Sequence, residues 1–170
     1  MKKIFVCVAL AFMAANVVVH GQEKKSKKQL RREHAEEVRQ LIDAQDFVFV
    51  ANQALPMAGP TRVLTTPYDL TVGKDTVSAF LPYFGRAYVA PSNPLESGIT
   101  FVSKDFAYTL SVTKKNGREI QITPKDVPKR YELFLSVSES GSATLSVNDV
   151  TRQPIRFNGS IEPRTRNAQR

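Results

Sequence analysis

Four side chains able to hold a ligand fall within six positions of one another: Tyr83, Phe84, Arg86 and Tyr88. Arginine offers five fixed donors and stacks on aromatic faces, and tyrosine joins a rigid ring to a polar tip. Together they suit the grip of an anionic or sugar-like group. The competing role is structural, with Phe84 and Tyr88 filling the end of a core and Arg86 capping loop carbonyls. The surrounding segment, Pro82 to Gly98, also holds Gly85, Pro91 and Pro94, which makes it stiffer and more aromatic than a solvated connection. Rings held against a scaffold by a loop are frequent binding sites.

The other routes to chemistry are weaker. Cys7 is the one cysteine and lies in the N-terminal apolar run, so a processed chain has no thiol nucleophile. A Ser/His/acid triad would need His34 as its base, yet His34 falls on the apolar stripe of a helix. Gly141-Ser142 and Gly159-Ser160 lack the flanking glycines of a nucleophile elbow. With His34 as the one histidine after residue 21, no thiol there and no Asp-rich loop, metal ligation is not expected. No phosphate-cradling glycine loop precedes the helix, and no cofactor is expected.

Paired carboxylates remain open on composition, because glycoside hydrolysis needs only two acids at a suitable separation. Asp69, Asp75, Asp105, Asp126, Glu132 and Glu139 are available, but Asp75, Asp126 and Glu139 sit beside Gly or Pro and read as turn residues. The leading expectation is a non-enzymatic module that binds a small molecule or an envelope protein. The alternatives are an envelope interaction protein docking through its helix, and a carboxylate-based hydrolase.

The elements that would position these residues follow from periodicity. Met1-Lys2-Lys3 precedes an apolar run from Ile4 to Val19, then His20-Gly21-Gln22; this order predicts a signal peptide over 1–21 cleaved near Gly21-Gln22. At sixteen residues the run falls short of the ~17–25 needed to cross a bilayer. The expected location is the periplasm or the cell exterior, with no integral membrane segment after cleavage. Loss of Lys2 and Lys3 reduces the formal charge from +8 to +6. What remains is spread along the chain rather than gathered into a basic stripe, so nucleic acid is not an expected partner.

Residues 22–46 contain neither Gly nor Pro, and Leu30, His34, Val38, Leu41 and Ile42 recur at helical spacing, predicting a charged amphipathic helix. After Asp46 the period changes to two. Tyr68, Leu70 and Val72 turn at Gly73-Lys74 into Val77, Ala79 and Leu81. Phe106 to Val112 turn at Asn116-Gly117, a preferred type I′ pair, into Ile120 and Ile122. Tyr131, Leu133, Leu135 and Val137 turn at Ser140-Gly141-Ser142 into Ala143, Leu145 and Val147, and Ile155, Phe157 and Ile161 close the domain. The fold class is therefore mainly β: an antiparallel barrel of eight or nine strands, or a strongly coiled sandwich, over 47–161. The tail, 162–170, is expected to be disordered.

Leu81-Pro82-Tyr83-Phe84-Gly85-Arg86-Ala87-Tyr88, with the upstream Asn52-Gln53-Ala54-Leu55-Pro56 and the downstream Gly98-Ile99-Thr100-Phe101, resembles the exported domain of unknown function 4251 family of Gram-negative gut bacteria. The likeness spans about residues 36 to 160. It implies export and a single domain, and it carries over no catalytic residue, ligand or cofactor.

Overall fold

The computed structural model describes residues 26–88, 98–114 and 116–164. The expected signal peptide, residues 22–25, the centre of the Pro82–Gly98 segment and residues 165–170 lie outside them.

A capping box starts the helix. Lys28 N–H donates to the Ser26 hydroxyl at 3.2 Å, and Ser26 N–H donates to Gln29 Oε1 at 2.9 Å, so two otherwise orphaned donors are satisfied. Helix α1 runs Lys27–Asp43. Gln45 takes the left-handed conformation at φ 52 and turns the chain into the first strand. Val38 and Ile42 are buried and Leu41 is half-buried, whereas Leu30 is 51 % exposed. The apolar stripe expected from Leu30 to Ile42 is thus used only at its C-terminal end. A helix of this length extends about 25 Å; Val38 and Ile42 bury their side chains at the barrel mouth, and His34 lies beside Gly141 in the β7–β8 turn.

Nine strands follow: β1 Phe47–Pro56, β2 Arg62–Val72, β3 Val77–Leu81, β4 Ile99–Ser103, β5 Phe106–Val112, β6 Arg118–Pro124, β7 Tyr131–Val137, β8 Ser142–Asp149 and β9 Arg152–Pro163. They form one sheet in the order β4-β3-β2-β1-β9-β8-β7-β6-β5, antiparallel at every ladder. Successive strands are neighbours except β4 and β5, and β9 returns to pair with β1. The result is an up-and-down barrel, closed except for a seam between β4 and β5. Between the two candidate architectures, the structure is the barrel.

Alternation builds the interior. In β7, Tyr131, Leu133, Leu135 and Val137 are buried while Glu132, Phe134 and Ser136 face out. Phe47, Phe49 and Phe157 fill the centre with Leu70, Leu133 and Leu145, all without exposed surface. Ile42 reaches this core from the helix, and burial of such a side chain contributes about 1.5–3 kcal/mol. At Gly159 β1 and β9 approach so closely that a Cβ would overlap the Val50 carbonyl oxygen; the adjoining bulge between Ala51 and Gln53 shifts the register by one.

Four local features differ from the sequence reading. β9 continues to Pro163, paired with Phe47, past the expected boundary at 161. β2 begins at Arg62, ahead of the alternating Tyr68–Val72 segment. β4 is an additional strand, with Ile99, Phe101 and Ser103 inward. The type I′ pair expected at Asn116-Gly117 is instead a longer loop closed by Thr113 N–H to Gly117 O at 3.0 Å, with Asn116 left-handed at φ 56 and Gly117 not.

The seam is fastened at one end. Lys104 N–H and Asp105 N–H donate to Asp126 Oδ2 at 2.8 and 3.2 Å, and the buried Ser103 hydroxyl donates to Asp126 Oδ1. These bonds, the Ser103 hydroxyl foremost, hold the Asp126 carboxyl below its ordinary pKa.

Candidate functional site

The structure places Tyr83, Phe84, Arg86 and Tyr88 along a strap that leaves β3 and lies against the β8–β9 turn. Tyr83 Oη sits between two carbonyls, 2.9 Å from Arg86 O and 3.0 Å from Gln153 O. Gln153 N–H donates to Arg86 O at 3.0 Å and Tyr88 N–H to Thr151 O at 2.8 Å, with Ala87 bridged to Arg152. The strap is therefore stitched on as a short additional strand.

Beneath it lies a charged pair absent from the candidates read in the sequence. Arg152 and Asp149 are both buried, with Arg152 Nε 3.1 Å from Asp149 Oδ2. Arg152 Nη1 donates to Gly98 O at 3.1 Å, and its guanidinium carbon stands 5.0 Å from the centre of the Tyr83 ring. Asp149 Oδ1 accepts from Thr151 N–H and its hydroxyl at 2.9 and 2.8 Å. Burial is the main cause of a raised Tyr83 pKa, opposed by the Arg152 charge. Tyr83 is thus engaged in holding the strap, and the half-buried Phe84 lies under the Arg62 guanidinium at 4.7 Å. Arg86 and Tyr88 are exposed.

The three cavities described here lie elsewhere. One, of about 280 Å³, runs beneath α1 between Arg39, Arg118 and Glu139. Its charges are largely matched: Arg39 Nη1 is 3.1 Å from Glu36, and Arg118 Nε is 3.6 Å from Asp43. The other two are depressions of about 370 and 610 Å³ in the outer wall of the barrel, and both are bordered by Ser136 and Thr144. They form a continuous furrow.

Strand register orders this face of the wall into two rungs, of which Arg156 and Leu55 lie outside the lining of either depression. One reads Ser111, Glu119, Ser136, Thr144, Asn158 and Gln53 across β5, β6, β7, β8, β9 and β1. The next reads Thr109, Gln121, Phe134, Ser146, Arg156 and Leu55. Along the first, Thr144 Oγ1 donates to Asn158 Oδ1 at 3.1 Å, and Asn158 Nδ2 reaches Gln53 Oε1 at 3.5 Å. In the second, Phe134 presents its ring with 39 % of its surface exposed. Among the described residues, the side chains of Thr109, Gln121, Ser136 and Ser146 have no partner in the protein. Only Glu119 and Arg156 of the twelve are charged, in a chain with 24 basic and 16 acidic residues.

Among the described residues, no His, Cys, Asp or Glu cluster could hold a metal ion, and no helix is long and apolar enough to cross a membrane.

Fold and surface together define a small up-and-down β-barrel with a helix at one mouth, a clamped strap, and a polar furrow along its outer wall. The family model described as "Domain of unknown function (DUF4251)" matches residues 29–161, and the chain belongs to that family. A crystal structure of a DUF4251 family protein from Bacteroides eggerthii DSM 20697 has a similar fold, with a TM-score of 0.59 and 18% sequence identity over 78% of this chain and 89% of that one. No curated protein matches the chain.

Proposed function

We propose that this protein is a non-enzymatic, exported binding module of the cell envelope, and that its ligand lies in the outer-wall furrow. The observation that carries this reading is the run of unpartnered Thr109, Gln121, Ser136 and Ser146 around the exposed ring of Phe134. A few polar groups converging on an apolar contact is the usual make-up of a ligand site. Glu119 is the one carboxylate bordering the furrow, where acid–base hydrolysis of a glycoside needs two. Export is inferred from the basic start and apolar run of residues 1–21.

Native mass spectrometry of the protein purified from its own envelope tests the reading. A bound mass, or a co-purifying partner, is expected on the wild type and lost on Phe134→Ala with Gln121→Ala. Retention of the same mass by that double variant contradicts the furrow as the site.

A second reading rests on α1, whose N-terminal half projects from the barrel with Leu30 51 % exposed. In it, the helix docks on an envelope partner. Deleting residues 22–36 would then abolish capture of that partner while the barrel, with Val38 and Ile42 in place, stays folded; unchanged capture excludes it.

A further inference from the structure

We propose that the furrow takes a neutral carbohydrate chain, laid across β6, β7 and β8 with one sugar ring on Phe134. This names the ligand class of the binding face argued above and rests on that reading.

Charge narrows the class first. The lining of the furrow holds a single charged side chain, Glu119, and no basic one. A polyanion is held by a surplus of arginine or lysine, and a cation by carboxylates or an aromatic cage. Neither arrangement is present on these rungs.

Hydrogen-bonding type narrows it further. Hydroxyls and carboxamides each both donate and accept. Gln121, Ser136 and Ser146 therefore match a ligand whose groups are themselves hydroxyls, whichever way each proton points. The Thr144 to Asn158 bond at 3.1 Å fixes the orientation of the Asn158 amide before any ligand arrives, which lowers the ordering cost of binding.

Geometry disfavours the other occupants. An extended peptide binds through a free sheet edge, but β6, β7, β8 and β9 are each paired on both sides. A lipid needs a continuous apolar surface, and here Phe134 is ringed by Gln121 and Ser146 directly opposite it. One exposed ring in a polar setting suits the apolar face of a pyranose, whose C–H groups meet the negative face of the ring. Six strands at the usual spacing make the furrow about 24 Å long, room for several sugar units in a row.

The test is a titration of the mature, isotopically labelled protein with neutral hexasaccharides of glucose, mannose, xylose, galactose and N-acetylglucosamine, and with a hexagalacturonate as the anionic arm. At least one neutral probe should shift the amides of Gln121, Phe134 and Ser146. Phe134→Ala and, separately, Gln121→Ala should each weaken it tenfold or more with an unchanged thermal melt. Silence across the neutral panel, or preference for hexagalacturonate, overturns the proposal. If the neutral panel is silent while the envelope-derived mass is still lost on the Phe134/Gln121 double variant, the ligand class is wrong and the binding face stands. If the double variant retains that mass, the face itself is wrong.

Discussion

The Arg152 guanidinium lies over the Tyr83 ring, 5.0 Å from carbon to ring centre, so the aromatic block after β3 is clamped to a buried charge at the β8–β9 turn. Removing the cation would leave Asp149, buried beside it, without its ion pair. Arg152→Ala is expected to cost about 3–5 kcal/mol. Tyr83→Phe, which removes only the hydroxyl between the Arg86 and Gln153 carbonyls, is expected to cost about 1 kcal/mol. Urea denaturation of the two variants checks both the magnitudes and their order.

The buried side chains of the helix, Val38 and Ile42, both lie in its second half. Ile42 is fully buried and Leu30 is 51 % exposed, so Ile42→Ala should lose about 2–5 kcal/mol and Leu30→Ala less than about 0.5 kcal/mol. Equal losses in thermal or urea melts would mean that the N-terminal turns are also packed.

Alkali should open the contact between barrel and helix. Burial, with a smaller contribution from the Asp43 charge, pushes the Tyr108 pKa up to about 12, and its hydroxyl faces Ile42 O at 3.4 Å. A folded-state pKa raised above the unfolded value near 10 means that the stabilisation is complete below about pH 10 and lost as pH rises through the folded value. Tyr108→Phe has no proton to release. Its melting temperature should fall less steeply than that of the wild type above about pH 10; parallel curves would contradict the assignment.

Export predicts a processed terminus. Expressed in its own host, the mature protein should begin at or next to Gln22 and fractionate with the periplasm or the medium. Intact Met1-Lys2-Lys3 on a protein recovered from the cytoplasm would remove the envelope from the account.

Strands were legible where large apolar residues recur at every second position of the sequence. Tyr131 to Val137 and Phe106 to Val112 alternate cleanly, and both are strands. The first half of β2, Arg62 to Pro67, is mostly exposed on both faces and so shows no alternation, and in β4 Val102 faces out while Ser103 faces in, which breaks the apolar–polar pattern. The β9–β1 ladder that nearly closes the barrel joins residues a hundred positions apart in the chain, such as Gln53 and Asn158, and no local pattern encodes that pairing. Arg152 resembles any surface arginine until the turn buries it against Asp149. Phe134 did leave a signal: an aromatic residue at the outward phase of β7, between Glu132 and Ser136. The furrow around it is assembled from six strands, and one or two polar side chains on each form no motif.

The side-by-side comparison of Phe134→Ala and Arg86→Ala tests the central claim most directly, because it sets the outer wall against the strap. Affinity for the neutral hexasaccharide that binds the wild type is measured by calorimetry on each. The account predicts a loss of tenfold or more for Phe134→Ala and wild-type affinity for Arg86→Ala. Wild-type affinity in Phe134→Ala with loss in Arg86→Ala would contradict it and place the ligand on the strap.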